Sequence, residues 1–232
     1  MFYHLPLVDH SNDVSSFLGA LAGAFFAFVF GILAYVITKR REGFVDHKNA
    51  LVRFERVLHK HLEDIGTLDS LATGMDTSLG SGNTTSNRLI KLQIPDGLDM
   101  QIRSVDLINK FLTYQISIDR LSVDVAMVNH ALTRIEDLFI NGRPVAIQNF
   151  NIVRRNLTKL RQDLVHLNNR TKRFLVLVRL HYKKVKDKNS FVYGVYYSQW
   201  EQSISTEEKE KEMEKLETEI RGIMAQAPED LL

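Results

Sequence analysis

Histidine and acidic side chains that could bind a metal or transfer protons are concentrated in one short stretch of the sequence. His59 and Glu63 stand four residues apart, with His61 and Asp64 between and beside them. Residues four apart share a helix face, but His61 belongs to an apolar row that His59 does not join. The HExxH spacing of zinc proteases is absent. We therefore expect no metal site here.

Other signals of chemistry also argue against an enzyme. Residues 80–82 read Gly-Ser-Gly, but no Gly-Lys-Ser/Thr follows them and no strand pattern precedes them, unlike a phosphate-binding loop. His130, His166 and His181 are isolated, which is typical of packing or surface residues. The chain has no cysteine, which excludes disulfides, thiolate metal sites and a cysteine nucleophile. We expect neither catalysis nor a bound cofactor.

A basic tract followed by aromatic residues is the candidate binding feature of the sequence. Between residues 170 and 188 only Asp187 opposes the positive charges. Such a tract fits an anionic membrane surface, a nucleic acid or nucleotide, or an acidic protein. Alternatively, it keeps a helix end soluble and complements the helix dipole. The candidate residues for an anionic partner are Arg170, Lys172, Arg173, Arg179, Lys183, Lys184, Lys186, Lys188, Tyr196 and Trp200.

The clearest element of the sequence is an apolar run from residue 17 to residue 37 without a charged side chain. As a helix it would measure about 30 Å, the hydrocarbon thickness of a bilayer. Basic residues 39–41 follow the run, whereas residues 1–16 contain no Lys or Arg, so the positive-inside rule places the N-terminus outside. A cleaved signal peptide would need a basic start and a shorter apolar core.

These features predict three regions and a contact face. Residues 1–16 are a short extracytoplasmic N-terminus, residues 17–38 a single-pass transmembrane helix, and residues 39–232 a cytoplasmic domain. Small residues recur every fourth position within the span, which lets a second helix pack closely and predicts self-association. No polar residue lines the span, which disfavours a pore. The predicted anchor-packing residues are Gly19, Gly23, Ala27 and Gly31.

Four helices are predicted after or continuous with the span, at about residues 44–72, 99–140, 147–187 and 206–226. Residues 73–97 begin with a run rich in Gly, Ser, Thr and Asn and are predicted to be a flexible loop. The fold class is therefore all-α: one N-terminal transmembrane helix followed by an elongated, antiparallel, coiled-coil-like helical bundle.

The second helix has the most regular pattern. Its apolar positions alternate steps of four and three from Leu107 to Phe139. A second row of apolar residues is interpreted as widening the same face, which favours a bundle of at least three helices over a two-stranded coil. The second row consists of Val105, Ile108, Leu112, Ile116, Val123 and Ala126.

Turn and cap signals predict the order of the helices. Asn141-Gly142-Arg143-Pro144 predicts a turn between two antiparallel helices, and residues 205–208 form a capping box before the fourth helix. The charged start of that helix is interpreted as a solvated face. If the first helix leaves the membrane, the second returns and the third leaves again, the basic tract lies at the distal end. That order disfavours lipid as its partner.

Three functions remain open. The leading hypothesis is a membrane-anchored, self-associating helical scaffold or signalling adaptor of an inner-membrane type. The alternative is a membrane-perturbing effector whose cytoplasmic bundle senses an anionic ligand or partner at its distal basic end. A weaker alternative is a membrane tether for nucleic acid. The expected partners are therefore the lipid bilayer, further copies of the chain, and a protein or anionic ligand.

Overall fold

The computed structural model describes residues 10–83, 87–97, 102–188 and 204–226. This part of the chain is helical and contains no strand, which confirms the predicted all-α class. Four helices account for most of it: α1 (His10–Gly80), α2 (Val105–Ile140), α3 (Ile147–Val185) and α4 (Thr206–Gln226).

The chain forms two compact units. Of the described residues, 10–45 belong to the first unit, and 46–83, 87–97, 102–188 and 204–226 belong to the second. Because α1 is one continuous helix, it contributes residues to both units. Its N-terminal part is long and apolar enough to cross a membrane, with a mean hydropathy of 2.4 and no buried residues in its most apolar window. The candidate span predicted from the sequence is thus present as a helix.

In the second unit, α3 runs antiparallel to both α1 and α2. Glu55 on α1 pairs with Arg179 near the end of α3, whereas Asp76 near the end of α1 pairs with Arg154 near the start of α3. The contacts between α2 and α3 show the same antiparallel order, because the residue numbers rise along α2 while those of the partners on α3 fall. Therefore α1 and α2 run in the same direction. The paired residues of α2 and α3 are Tyr114 with Thr171, Ser117 with Arg170, and Asp124 with Lys159.

An irregular segment, residues 87–97, carries the chain back along α1 and α2. Asn129 of α2 accepts the N–H of Leu89 and donates to its carbonyl, both at 2.9 Å. Gln93 then reaches His61, in the middle of the second unit. We call residues 87–97 the return segment. Because this segment runs antiparallel to α1, α2 begins at the same end of the second unit at which α1 enters it.

The predicted flexible loop at residues 73–97 is wrong in two respects. Helix α1 continues to Gly80, because the buried row of Ile65 and Leu68 extends through Met75 and Leu79 at the same three- and four-residue steps. The return segment is also packed, with Leu89 and Leu92 buried.

The predicted helix order is wrong as well. Helix α2 does not return towards the start of α1; the return segment and α3 do. The N–H of Arg103, just before α2, donates to His47, and Lys48 donates to the carbonyl of Lys186 just after α3. The basic end of α3 therefore lies beside residues 47 and 48 of α1, and it is not at the far end of that helix.

Four of the six residues in the second apolar row of α2 do not widen the buried face, whereas Ile108 and Ala126 are half-buried. Val105, Leu112, Ile116 and Val123 are exposed, with Ile116 at 68%. Ile116 follows the buried Tyr114 by two residues, which turns its side chain by about 200° around the helix. These four residues therefore form a separate apolar face on the side of α2 away from the core, which we call the outer α2 face.

Local signals set the helix ends. The Ser104 hydroxyl accepts the N–H of Leu107, so α2 begins at Val105 and not near residue 99. Gly142 takes a positive φ of 65° in the turn between α2 and α3, as the Asn-Gly sequence predicts. The capping box is confirmed, since Ser205 and Glu208 exchange hydrogen bonds at 2.9 and 3.2 Å.

Candidate functional site

A buried polar network joins α1, α2, α3 and the return segment in the second unit. The hydroxyl of Tyr114 lies 2.7 Å from Nδ1 of His61 and 3.3 Å from the hydroxyl of Thr171. Nε2 of His61 lies 3.0 Å from the carbonyl oxygen of Gln93. His61 and Thr171 are the polar interruptions of two apolar rows, so the sequence marks two members of this network.

The hydrogen bonds fix the tautomer of His61. A carbonyl oxygen only accepts, so Nε2 of His61 must carry the proton that bonds Gln93. Nδ1 is then the acceptor, and the Tyr114 hydroxyl donates to it. Burial lowers the pKa of His61 and raises that of Tyr114, so both groups stay neutral. A neutral, fully bonded network is typical of a structural element.

Two further histidines are buried where the basic end of α3 meets α1. Nδ1 of His47 accepts the N–H of Arg103 at 3.2 Å, and the His47 side chain is completely buried. Burial, followed by the neighbouring His181 and Arg103, lowers the pKa of His47 to about 4. Burial likewise lowers the pKa of His181 to about 4, against the opposing effect of Asp106. Both imidazoles are therefore neutral near pH 7.

Arg179 ties three helices together. Its guanidinium donates to Glu55 of α1 at 2.8 Å and to Glu219 of α4 at 2.7 Å, and it also donates to Nε2 of His59 at 2.9 Å. The pKa of Glu219 is lowered chiefly by this hydrogen bond. One turn further along α3, Lys183 pairs with Glu212 of α4. The sequence does not distinguish these acidic partners, because Glu212 and Glu219 lie in a run of alternating charges.

The basic candidates for an anionic partner fall into two groups. Arg179 and Lys183 hold α4, and Arg170 bonds Ser117 of α2. Arg173, Lys186 and Lys188 are exposed, whereas Lys172 and Lys184 are half-buried. Tyr196 and Trp200 lie outside the described residues. The whole set is thus not one open surface, and its proposed role in binding an anion stays a prediction.

The anchor-packing residues lie in the first unit, on the apolar part of α1. A Cβ atom added at Gly19, Gly23 or Gly31 would meet nothing within 4 Å, and Ala27 is exposed. The four residues are spaced by four along one helix, so they share a gently turning face. Their role in self-association stays a prediction.

A cleft of about 540 Å³ lies between α1 and the return segment. Lys60, His61 and Asp64 line it together with the apolar Leu68 and Leu71. Both ring nitrogens of His61 are hydrogen-bonded, one to Tyr114 and the other to Gln93, so neither is available to bind a ligand.

Among the described residues, no group of three or more His, Asp or Glu side chains is arranged to hold a metal ion. His59, which is close to Glu63 in sequence, has its Nε2 bonded to Arg179 at 2.9 Å. The sequence matches no protein-family model, and neither curated proteins nor solved structures show a significant similarity to it.

Proposed function

We propose that this protein is a single-pass, self-associating helical scaffold or signalling adaptor at a membrane. The observation that carries the proposal is the continuity of α1. One helix contains the charge-free span and also contributes the buried apolar row of α1 to the second unit.

The span supports self-association. Within a bilayer, helices gain little from burying apolar surface, so close packing along small residues becomes the main attraction between them. The face formed by Gly19, Gly23, Ala27 and Gly31 provides such a close approach, because each glycine has open space where a side chain would stand.

The outer α2 face supports a contact made by the body. Val105, Leu112, Ile116 and Val123 expose apolar side chains along about 27 Å of helix, as 1.5 Å per residue requires. A contiguous exposed apolar patch commonly marks a protein contact. Anchors held in one membrane point the same way, so neighbouring copies would present these faces in parallel.

The experiment measures the mass of the intact protein in mild detergent by light scattering. We expect an oligomer for the natural sequence and a shift towards the monomer for Gly23→Leu, because the added side chain separates the packed helices. The matched control is Ala22→Leu, which places the same leucine side chain about 120° away from the centre of the small-residue face.

Two results would count against the proposal. A monomeric mass for the natural sequence removes self-association altogether. An oligomer that Gly23→Leu and Ala22→Leu weaken equally shows that bulk in the span matters, but that the small-residue face does not.

A membrane-perturbing effector predicts a different result. Expression of the protein in cells loaded with a potential-sensitive dye would depolarise them, and Gly23→Leu would abolish the effect. A scaffold leaves the potential unchanged while the protein still oligomerises. The two hypotheses are therefore separated by one measurement on the same pair of variants.

A further inference from the structure

Helix α3 contains a stretch that is apolar on all sides. Residues 174–178 and Leu180 are all buried. Consecutive residues of a helix point about 100° apart, so a buried run of five leaves no side for solvent. The ring of Phe174 packs on Phe54 of α1 and on Tyr114 of α2. These contacts cover one side of α3, and a different element must cover the opposite side.

Helix α4 provides the second cover. Arg179 and Lys183 contact Glu219 and Glu212 of α4, which establishes the side of α3 on which α4 lies. Val176 precedes Arg179 by three residues, and Leu180 precedes Lys183 by three, so both share this side. Both are buried. We call Val176, Arg179, Leu180 and Lys183 the α4 dock.

The hold of α4 on its dock is narrow and largely electrostatic. Leu216 is the one fully buried apolar side chain among the described residues of α4, between Glu212 and Glu219 at steps of four and three. Each ion pair has one partly exposed and one largely buried member: the side chains of Lys183 and Glu219 are 47% and 39% exposed, whereas those of Glu212 and Arg179 are 7% and 14% exposed. The solvent that reaches one member of each pair screens the attraction and keeps its net contribution to stability modest.

The weak attachment of α4 favours its release, whereas the apolar dock beneath it opposes release. The attraction of α4 itself is modest, but a bare dock would expose Val176 and Leu180 and leave Arg179 with fewer partners. Release of α4 alone is therefore unfavourable in free energy. Replacement of α4 by an equivalent helix changes the free energy little, because the same contacts form again. The equivalent helix with the same Glu-x₃-Leu-x₂-Glu spacing is the α4 of another copy.

We propose that α4 is an exchangeable arm: α4 of one copy binds the α4 dock of a second copy through the same contacts. This inference rests on the proposed self-association, which brings the copies together. Residues 186–205 join α3 to α4, and a chain of that length spans at most about 70 Å when extended. That reach allows exchange between adjacent copies. Exchange of an identical element is a low-cost route to assembly.

The test uses the absence of natural cysteines. Two differently tagged full-length copies are expressed together, one with Lys183→Cys and the other with Glu212→Cys, and a short bismaleimide is added to the membranes. Lys183 and Glu212 are direct partners, so a covalent pair of the two tags reports α4 of one copy on the dock of the other. The intramolecular reference is one chain with both substitutions.

The matched control replaces Glu212→Cys by Glu210→Cys. Glu210 is exposed and stands two residues away, which places it on the other side of α4. Exchange predicts several-fold more covalent pair for position 212 than for position 210. It also predicts that the yield falls when Leu216→Asp is added to the copy that supplies α4, because that change removes the apolar contact.

The outcomes separate this inference from the proposed function. Copies that co-purify through their two tags but give no pair specific for position 212 overturn the exchange and leave self-association standing. Copies that do not co-purify overturn both. A doubly substituted chain that gives neither an internal link nor a link between copies overturns the assignment of the dock itself.

Discussion

At the scale of single residues, buried polar side chains hold the core of the second unit together. The Tyr114 hydroxyl donates to Nδ1 of His61, while Nε2 of His61 donates to Gln93. Leaving a buried donor or acceptor unpaired costs more free energy than its hydrogen bond gained. Each atom of this network therefore constrains the side chains that its neighbours can carry.

Tyr114→Phe should destabilise the protein although it keeps the ring. The change leaves Nδ1 of His61 buried without its donor, and we expect a loss of about 1–3 kcal/mol in the free energy of unfolding. The measurement is thermal unfolding of the full-length protein in detergent. Tyr182→Phe, which removes a hydroxyl from a half-buried tyrosine of α3, is the control. Equal melting temperatures for the two variants would show that the network contributes no stability.

The buried His47 and His181 should make stability depend on pH. Their folded-state pKa values of about 4 lie below the ordinary value of 6.5, so the unfolded chain takes up protons first as the pH falls. Their contribution is complete above pH 6.5 and decreases between pH 6.5 and pH 4. Each buried histidine contributes a slope of about 1.4 kcal/mol per pH unit in that window.

Thermal unfolding between pH 7.5 and pH 5 tests this dependence. His47→Asn retains an acceptor for the N–H of Arg103 but cannot be protonated, so it should reduce the slope by about half. His130→Asn is the control because His130 is exposed. A slope that His47→Asn leaves unchanged would mean that another group causes the acid sensitivity.

At the scale of elements, the return segment determines the helix order. Asn129 binds the N–H and the carbonyl of Leu89, which is how a neighbouring β-strand would satisfy an extended backbone. Arg88 adds an ion pair with Glu136 of α2. The segment is therefore attached to α2 by side chains, and it contributes the buried Leu89 and Leu92 to the core.

Asn129→Ala should loosen the return segment. Two backbone groups of Leu89 would lose their partners, which we expect to cost about 1–3 kcal/mol in the free energy of unfolding. Hydrogen exchange of residues 88–93 should rise more than exchange in the middle of α3. The control is His130→Ala at the next, exposed position. Unchanged exchange in residues 88–93 would show that Leu89 and Leu92 hold the segment without Asn129.

The helices could be predicted from the sequence, but their order could not. Apolar rows with three- and four-residue steps identify α2 and α3 because each row is buried on one side. The return segment has no such repeat: Leu89 and Leu92 alone mark it as packed. The apolar rows alone predict alternating helix directions, which place the basic end of α3 at the wrong end of α1.

The candidate site could also be predicted only in part from the sequence. The polar interruptions His61, Thr171 and His181 stand out within apolar rows and all prove to be buried. Tyr114, the partner of His61 and Thr171, fits the apolar row of α2, so the sequence gives no signal of its hydroxyl's role. Glu212 and Glu219 were hidden for a different reason: in a run of alternating charges, only the position of α3 distinguishes a paired glutamate from a solvated one.

At the scale of the whole molecule, the helix order changes what the basic end of α3 can bind. A position far along α1, which the sequence predicts, disfavours lipid as its partner. Lys48, which contacts Lys186, follows the predicted span by only ten residues of chain. Ten residues reach at most about 35 Å. The exposed Lys186 and Lys188 therefore regain anionic lipid as a candidate partner, and the orientation of the anchor becomes the deciding question.

Orientation is tested by labelling single cysteines in a chain that has none of its own. With the N-terminus outside, Ser11→Cys should react with a membrane-impermeant maleimide on intact cells, and Lys211→Cys should react only after the cells are opened. Lys211 is exposed on α4, so burial would not protect it. The opposite labelling pattern would place the bundle outside. It would also remove the cytoplasmic leaflet, with its negative surface potential, as the partner of the basic residues beside Lys48.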